Sequence, residues 1–258
     1  MKNFNFLSTI FLCSLLISTQ FIAQVSAKSK LPDFKLVAED YAPYAYLDNK
    51  DKENKIAGLS TEIVQAAMKA AKIEKEIVIE PWPTIYANLQ NVPNYIAFTC
   101  GRTPEREDKF IWISEVGYYT GHIYGINSNK HKINNLDDLK KFKVGSVHDH
   151  YTQQYLLKHG FTEGQNLFTN KDDATNIEKL HNGEIDFLIA NQFSISFLVE
   201  KGKLKKNHLK VFHKIKDLRI GAYFVASKGT SKEILDRFNI GFKKIKANGT
   251  YHSILKKH

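Results

Sequence analysis

The chain has 258 residues, of which 43% are hydrophobic and 25% charged, and its net charge is +10 at neutral pH. This length allows one large domain or two small ones, and the chain carries no low-complexity tract or short-period repeat. The basic charge could indicate a nucleic-acid partner, but the lysines are spread along the chain without a basic-aromatic array, so we expect no nucleic-acid binding. The densest basic segment, at the C-terminus, is typical of solvated helix faces; weak attraction to an anionic membrane surface is the alternative.

Residues 1–27 are typical of an export signal and not of a folded domain. Lys2 is their only charged residue, an apolar run covers residues 6–17, and the segment closes with Val25-Ser26-Ala27, a small-x-small cleavage pattern. Polar residues interrupt the apolar run, which is shorter than the roughly 20 residues of a membrane span. We therefore predict a cleaved signal peptide and a periplasmic or secreted mature protein.

Cysteine chemistry is not expected in the mature chain. Loss of the signal removes Cys13 and leaves Cys100 alone, so no internal disulfide can form. A lone thiol beside a strand is typically buried, and no residue near Cys100 in sequence offers a base that would activate it.

Strand and helix signals alternate in the first part of the mature chain. Strands are predicted at residues 34–39, 75–81, 95–99 and 122–127. A helix is predicted over 58–73, where apolar residues recur on one helical face. A short helix is predicted over 104–109, because Thr103 can cap it and Pro104 suits its first position.

A second alternating series follows. Helices are predicted at 135–142, 151–160, 172–183 and from 191 to Lys201, and strands at 143–147, 185–190, 211–215 and 222–227. Asp149 is predicted to cap the helix at 151–160. Thr230 and Glu233 form a predicted capping box at the start of the last long helix.

This alternation predicts an α/β fold with mostly parallel sheets covered by helices, and the two series predict two lobes. Ligands of such folds bind outside the carboxyl ends of the strands, near helix N-termini. The residues that follow each strand are therefore the candidate site.

Aromatic and polar groups are frequent at these strand ends, as a small-molecule site requires. They are Glu39, Tyr41 and Tyr44 after the first strand, Trp82 after the second, and His148, His150, Tyr151 and Asn191 after later strands. The aromatic residues could equally be core or rim residues. His148 and His150 face each other poorly on a helix and lack a third ligand, so we predict no metal site and no cofactor.

Two arginines surround the predicted helix start in the segment FTCGRTPERED, residues 98–108. Arg106 would be about the third residue of the helix, where the helix dipole disfavours a cation. A bound carboxylate would be favoured by the same dipole and by the guanidinium, so Gly101 and Arg106 predict an anion site. Two solvated arginines on a surface turn are the alternative.

The order of several short motifs resembles a known family. The motifs are Tyr41-Ala-Pro-Tyr44, Gly58-Leu-Ser-Thr-Glu62, Thr99-Cys-Gly-Arg-Thr-Pro-Glu-Arg106, Lys143-Val-Gly145 and Gly183-Glu-Ile-Asp186. Together they resemble the family 3 extracellular solute-binding proteins, the receptors for polar amino acids in bacterial ABC transporters. The resemblance covers Pro32–His258, and the Thr-Pro-Glu-Arg element followed by Phe110 and Ser114 is its most specific part.

The resemblance implies a type II periplasmic-binding fold, in which two α/β lobes are joined by a two-strand hinge and close on the ligand. The crossing strands would lie near Thr120–Tyr124 and Leu218–Tyr223. Lobe 1 would comprise residues 28–121 and 222–258, and lobe 2 residues 122–221.

The resemblance also implies roles for individual residues. Arg106 would pair with the ligand carboxylate, Gly101 would give a backbone N–H, and Thr99 a polar contact. His150 and Tyr151 would complete the carboxylate cradle from the second lobe, while Tyr41 and Trp82 would form the walls of the side-chain pocket. The full predicted ligand-binding set is Arg106, Gly101, Thr99, Thr103, Arg102, Tyr41, Glu39, Trp82, His150, Tyr151 and Asn191.

Two positions depart from the family pattern. The family usually has an acid that binds the ligand ammonium where this chain has Asn191, and Glu39 could substitute for it. The family usually has an apolar residue where this chain has Arg102, and an additional cation there would favour a more anionic ligand.

We therefore predict an exported, non-enzymatic receptor that captures a small carboxylate, most simply an amino acid, for an ABC permease and acts as a monomer. One alternative is an exported ligand sensor without a permease. Another is a dehydratase of the prephenate or cyclohexadienyl type on the same scaffold, which would need a carboxylic acid where this chain has Asn191-Gln-Phe-Ser194.

Overall fold

The computed structural model describes residues 31–48 and 55–258, and the predicted signal at residues 1–27 lies outside them. The strands are β1 Lys35–Ala38, β2 Tyr46–Leu47, β3 Ile56–Ala57, β4 Val78–Ile79, β5 Tyr95–Gly101, β6 Phe110–Ile126, β7 Val144–Val147, β8 Leu167–Asn170, β9 Phe187–Ala190 and β10 Leu209–Ser227. The α-helices are α1 Leu59–Ala71, α2 Trp82–Asn91, α3 Tyr151–Lys158, α4 Asp173–His181, α5 Gln192–Glu200, α6 Lys232–Ala247 and α7 Thr250–Lys257, and Pro104–Arg106 and Asp137–Lys141 form 3-10 turns. None of the described helices is long and apolar enough to cross a bilayer.

Two parallel groups of strands are joined through a central antiparallel pair. The strand order is β4-β1-β5-β10-β6-β9-β7-β8. β1 pairs in parallel with β4 and β5, and β7 pairs in parallel with β8 and β9. This arrangement confirms the predicted two-lobed α/β fold, because each parallel group carries its own helices.

The long strands β6 and β10 connect the two groups. They pair antiparallel over nearly their whole length, with Tyr119 opposite Ile220 and Thr120 opposite Arg219. One end of β10 pairs with β5, and the far end of β6 pairs with β9. The pairing passes through the region predicted for the two crossing strands, whereas the division of the chain at residues 121/122 and 221/222 stays a prediction.

The hydrophobic core is built from the faces that the sequence pattern indicated. In α1, the predicted apolar stripe is buried at Ile63, Val64, Ala67, Met68 and Ala71. Helix α6 packs against this stripe so closely that a Cβ added at Gly241 would lie 2.3 Å from the carbonyl oxygen of Ala67. A glycine is therefore needed where the two helices meet.

Helix α2 and the short strands β2 and β3 were not predicted from the sequence, and two predicted strands proved to be one. Helix α2 begins at Trp82, and Pro83 lies in its first turn, where its missing N–H costs no hydrogen bond. Strand β8 was also missed. The predicted strands 211–215 and 222–227 are both parts of β10, because pairing with β6 keeps the polar residues between them extended.

Three predicted helix starts were wrong in detail. Residues 104–109 form only a 3-10 turn over Pro104–Arg106, and Thr103 makes no capping bond. The residue that precedes α3 is His150 and not Asp149, whose positive φ of 57° takes it out of the capping geometry. Helix α6 is capped by Ser231, which accepts a bond from the Ile234 N–H, and not by Thr230.

Candidate functional site

A cleft of about 580 Å³ opens at the carboxyl ends of β1 and β4. One side is formed by the segments that follow these strands, Glu39–Ala42 and Ile79–Trp82. The other side is formed by the starts of α4 and α5, with residues 171–174 and 194–198. The cleft thus lies where the topology of parallel strands places ligand sites.

Arg106 lies beside this cleft and is completely buried. Its Nη1 donates to the carbonyl oxygen of Gly101 at 2.9 Å, and its Nη2 donates to the carbonyl oxygen of Asp149 at 2.6 Å. The guanidinium carbon is 4.9 Å from the Trp82 ring centre and 5.2 Å from that of Tyr86. Its Nε is buried without a hydrogen-bond partner among the described residues. The guanidinium is therefore held in place by two hydrogen bonds, and its Nε–H remains available as a donor.

The carbonyl oxygen of Asp149 accepts two hydrogen bonds, one from Trp82 and one from Arg106. The indole Nε1 of Trp82 donates to it at 2.7 Å, beside the bond from Arg106. Thr103 Oγ1 donates to Gln154 Oε1 of α3 at 2.9 Å. These bonds draw the ends of the first group of strands against the start of α3.

His150 and Tyr151 lie at this junction, in a cluster of aromatic rings. The Tyr41 ring packs edge-on against Tyr119 at 5.4 Å and against His150 at 5.5 Å, and Tyr119 stacks on Tyr151 at 5.1 Å. Burial, and then the charge of Arg106, lower the pKa of His150 to about 3. Its imidazole is therefore neutral at physiological pH and leaves the guanidinium as the positive charge here.

The remaining residues of the predicted carboxylate cradle surround Arg106 without lining the cleft. Thr99, at φ 66°, donates its hydroxyl to the carbonyl of Phe98, and its own carbonyl accepts the Tyr119 hydroxyl. The Gly101 carbonyl is occupied by Arg106. These bonds organise the end of β5 around the guanidinium.

Asn191 makes contacts that the sequence did not indicate. It is completely buried, and its Nδ2 donates to the Tyr44 hydroxyl at 2.9 Å, while its Oδ1 accepts the Thr120 hydroxyl at 3.3 Å. The Tyr44 hydroxyl in turn donates to the carbonyl of Tyr118. Asn191 thus ties the start of α5 to the central strands and lies outside the cleft lining.

Arg102, the second predicted cation of the site, is paired with an acid. Its guanidinium pairs with Glu107, donating from Nε at 2.8 Å, and packs over the rings of Trp112 and Tyr223. The side chain is partly exposed and is not among the residues that line the cleft. Glu107 balances its charge at the surface, and a role for Arg102 in favouring a more anionic ligand stays a prediction.

The cleft is instead acidic. Glu39 is buried on one side of it, and Asp173, the first residue of α4, lies on the other. Burial, and then Asp173, raise the pKa of Glu39 well above its usual range. Burial, and then Asp172, raise the pKa of Asp173 to about 7. These shifts arise because like charges gather in a poorly solvated space.

Asp173 and Ser194 are lining residues that the sequence-based site did not include. Lys171-Asp172-Asp173 directly follow β8, so recognising that strand would have marked them as strand-end residues. Ser194 lies within α5, and only its contact with the cleft distinguishes it from other polar helix residues.

The far end of the cleft is apolar. Tyr46 and Phe197 pack with ring centres 4.6 Å apart, and Ile195, Leu198 and Leu204 complete this wall. The cleft therefore offers acidic and hydroxyl groups at one end and an apolar surface at the other.

A metal or thiol centre finds no support in the described part of the chain. Residues 31–48 and 55–258 hold no group of three or more His, Cys, Asp or Glu side chains placed to bind a metal ion. Cys100 is buried behind Arg106, and its burial raises the pKa of the thiol to about 11, which disfavours the thiolate.

Comparisons with known proteins agree with this fold. The family model for bacterial extracellular solute-binding proteins, family 3, matches residues 36–258. A probable histidine-binding protein of Neisseria gonorrhoeae is 21% identical over 220 residues, which are 85% of this chain and 80% of the relative.

Solved structures share the fold at low sequence identity. The arginine-, lysine-, histidine-binding protein ArtJ of Geobacillus stearothermophilus superimposes with a TM-score of 0.72 at 23% identity, covering 87% of this chain and 94% of ArtJ. A histidine kinase sensor domain with similarity to periplasmic binding proteins gives a TM-score of 0.75 at 19% identity, covering 87% and 95%. At these identities the likeness shows the fold alone.

Proposed function

The chain belongs to family 3 of the bacterial extracellular solute-binding proteins, and we propose that it captures a free amino acid for delivery to an ABC transporter. The family is one of binding proteins and not of enzymes. The dehydratase alternative also lacks its acid, since Asn191 is a carboxamide engaged with Tyr44.

The observation that carries this proposal is the state of Arg106. Its guanidinium is buried and bonded to two main-chain carbonyls, with no carboxylate within ion-pair distance among the described residues. A buried cation without a directly bonded carboxylate is costly, and a ligand carboxylate relieves this cost through charge-assisted bonds. The α-carboxylate of an amino acid supplies that group.

We propose that the ligand's carboxylate takes the place of the Asp149 carbonyl on Nη2 of Arg106. Tyr41 and Trp82, which line the cleft, then form the walls of the ligand pocket. Glu39 accepts a bond from the α-ammonium, the role that the family usually gives to an acid at the position of Asn191. His150 and Tyr151 close the carboxylate end from the start of α3.

Capture is proposed to occur by closure of the two lobes. The bonds from Trp82, Arg106 and Thr103 to residues 149–154 connect the predicted lobe 1 with the predicted lobe 2 in this conformation. In our proposal, the closed, ligand-loaded form is the one that docks on a permease, and the protein acts as an exported monomer.

The proposal is tested by titrating residues 28–258 with a panel of amino acids in isothermal calorimetry and thermal unfolding. A ligand at 100 times its Kd should raise the free energy of unfolding by about 2.7 kcal/mol. Arg106→Lys keeps the charge but loses the planar fork, so we expect at least a tenfold loss of affinity. Arg237→Lys, whose guanidinium bonds to the Ala71 carbonyl outside the cleft, is the matched control and should stay within twofold. Failure of every amino acid to bind, or equal effects of the two substitutions, would refute the proposal.

A sensor role is the second candidate, because a histidine kinase sensor domain has the same fold. Uptake of the radiolabelled ligand by cells with and without the gene separates the two roles. Transport requires the uptake to fall when the gene is deleted, whereas a sensor leaves the uptake machinery itself intact.

A further inference from the structure

Two carboxyl groups lie on opposite sides of the cleft. Glu39 follows β1, on the proposed lobe 1, and Asp173 opens α4, on the proposed lobe 2. Burial, and then the charge of Asp173, raise the pKa of Glu39, and burial, and then Asp172, raise that of Asp173. Closing the cleft on two negative charges is unfavourable unless a cation comes between them.

Unpaired hydroxyl groups accompany these acids. The Tyr41 hydroxyl and the Ser194 Oγ are both buried, both line the cleft, and neither has a hydrogen-bond partner among the described residues. The two hydroxyls lie near each other, since Ser194 acts on the pKa of Tyr41. Buried polar groups are rarely left without a full hydrogen bond, so both oxygens can accept a bond from a donor on the ligand. An ammonium or guanidinium group is such a donor.

The charges of the buried site do not balance. When ionised, five carboxylates line the cleft, those of Glu39, Asp40, Glu80, Asp172 and Asp173, against the three cations Lys171, Lys203 and the neighbouring Arg106. Asp172 is used as the cap of α4, accepting bonds from the Thr175 N–H at 2.7 Å and hydroxyl at 2.6 Å. His150 is neutral. A ligand with a net positive charge reduces this excess of negative charge, whereas a zwitterion leaves it unchanged.

We infer that the cleft selects an amino acid with a cationic side chain, with Glu39 holding the α-ammonium and Asp173 the side-chain cation. This inference rests on the proposed function, because it takes Arg106 as the carboxylate anchor. We assign Glu39 to the α-carbon end of the ligand because Arg106 acts on its pKa, and Asp173, on which Arg106 has no resolved effect, to the side chain. The apolar wall around Tyr46 and Phe197 covers the aliphatic part of the side chain.

Binding is then coupled to proton release. A carboxyl group with a pKa of about 7 is partly protonated near neutral pH, and an incoming cation favours its ionised form. Affinity for lysine should therefore rise between pH 6 and pH 8. The other charged or titratable groups at the cleft are Asp40, Glu80, Lys171, Asp172, Lys203, Arg106, His150, Tyr41 and Tyr151.

The test compares L-lysine with L-norleucine, which has the same chain without the side-chain ammonium, by calorimetry. The wild-type protein should bind lysine at least 100-fold more tightly than norleucine. Asp173→Asn should weaken lysine binding at least tenfold, change norleucine binding less than threefold, and remove the rise in lysine affinity between pH 6 and pH 8. Glu39→Gln should weaken the binding of both ligands.

Glu178→Gln is the matched control, since it removes one negative charge from the exposed face of the same helix α4. It should change lysine affinity less than twofold. Thermal unfolding of each ligand-free variant checks that the variant folds. We expect Asp173→Asn and Glu39→Gln to fold, because both substitutions are nearly isosteric and relieve repulsion between like charges.

The possible failures are distinguishable. Arg106-dependent binding of neutral or acidic amino acids with equal or greater affinity than lysine would overturn this inference and leave the proposed function standing. Equal effects of Asp173→Asn and Glu178→Gln would also overturn it. Absence of all amino-acid binding would overturn both.

Discussion

Arg102 and Arg106 are four positions apart, yet their side chains have opposite surroundings. Arg106 passes into the protein between Trp82 and Tyr86 and bonds to main-chain carbonyls. Arg102 stays at the surface, where Glu107 neutralises it. The segment FTCGRTPERED predicts both arginines as site residues, and the tight turn over Pro104–Arg106 gives their side chains these different surroundings.

A buried neutral histidine should leave a measurable signature in the pH dependence of stability. The pKa of His150 is about 3 in the folded protein and about 6.5 when unfolded, so the unfolded state binds more protons between these values. Stability from this group is present above pH 6.5 and is lost as the pH falls toward 3. We expect the wild type to lose up to about 2 kcal/mol more than His150→Gln between pH 7 and pH 5.

Urea unfolding of both ligand-free proteins at the two pH values checks this prediction. Glu39 and Asp173 have raised pKa values and act in the opposite direction, since their contribution is present at low pH and lost as the pH rises through the folded-state pKa. They are present in both proteins, so their effect largely cancels in the difference. Parallel pH profiles for the two proteins would contradict a buried, neutral His150.

At the scale of the elements, helix positions were well predicted but their ends were not. Apolar periodicity placed α1 and α6 within two residues, since burial of one face is encoded locally. The caps depend on which of two adjacent polar residues has the right backbone angles. Ser231 is extended and accepts the Ile234 N–H, whereas the Thr230 hydroxyl bonds to Ser227 Oγ.

The contact between α1 and α6 yields a stability prediction at Gly241. Alanine has higher helix propensity than glycine by about 1 kcal/mol, but its Cβ would lie 2.3 Å from the Ala67 carbonyl oxygen. Because main-chain atoms cannot yield as a flexible side chain can, we expect Gly241→Ala to lower the free energy of unfolding by about 1–3 kcal/mol.

Asn239→Ala, at an exposed position of the same helix, is the control and should be neutral or slightly stabilising. Urea unfolding at neutral pH measures both variants. A Gly241→Ala protein as stable as the Asn239→Ala protein would show that the two helices can separate at little cost.

At the scale of the whole molecule, a basic protein surrounds an acidic cleft. The net charge of +10 comes from lysines distributed over the surface, whereas Glu39 and Asp173 are concentrated in one space. Overall charge therefore says nothing about the charge of the ligand, because only the local field in the cleft acts on a bound molecule. Association of the two halves of the chain brings these acids together.

The two tryptophans permit a test of closure. Trp82 bonds across the cleft to the Asp149 carbonyl, whereas Trp112 lies on β6 with its indole donating to the Glu107 carbonyl. We expect ligand binding to change the fluorescence of Trp112→Phe, which retains Trp82. The change should be lost in Trp82→Phe, which retains Trp112. An equal response of both variants would contradict closure at Trp82.

The sequence by itself determined the α/β alternation and the apolar faces of the helices, because each depends on residues that are neighbours along the chain, and it predicts Arg106 as a ligand contact. Only the tertiary structure decided that Arg102 pairs with Glu107, that Asn191 bonds to Tyr44, and that Asp173 faces Glu39. Asp173 and Glu39 are 134 positions apart in the numbering. Their proximity depends on how the strands are ordered and how the two lobes meet, and no local pattern of residues encodes that arrangement.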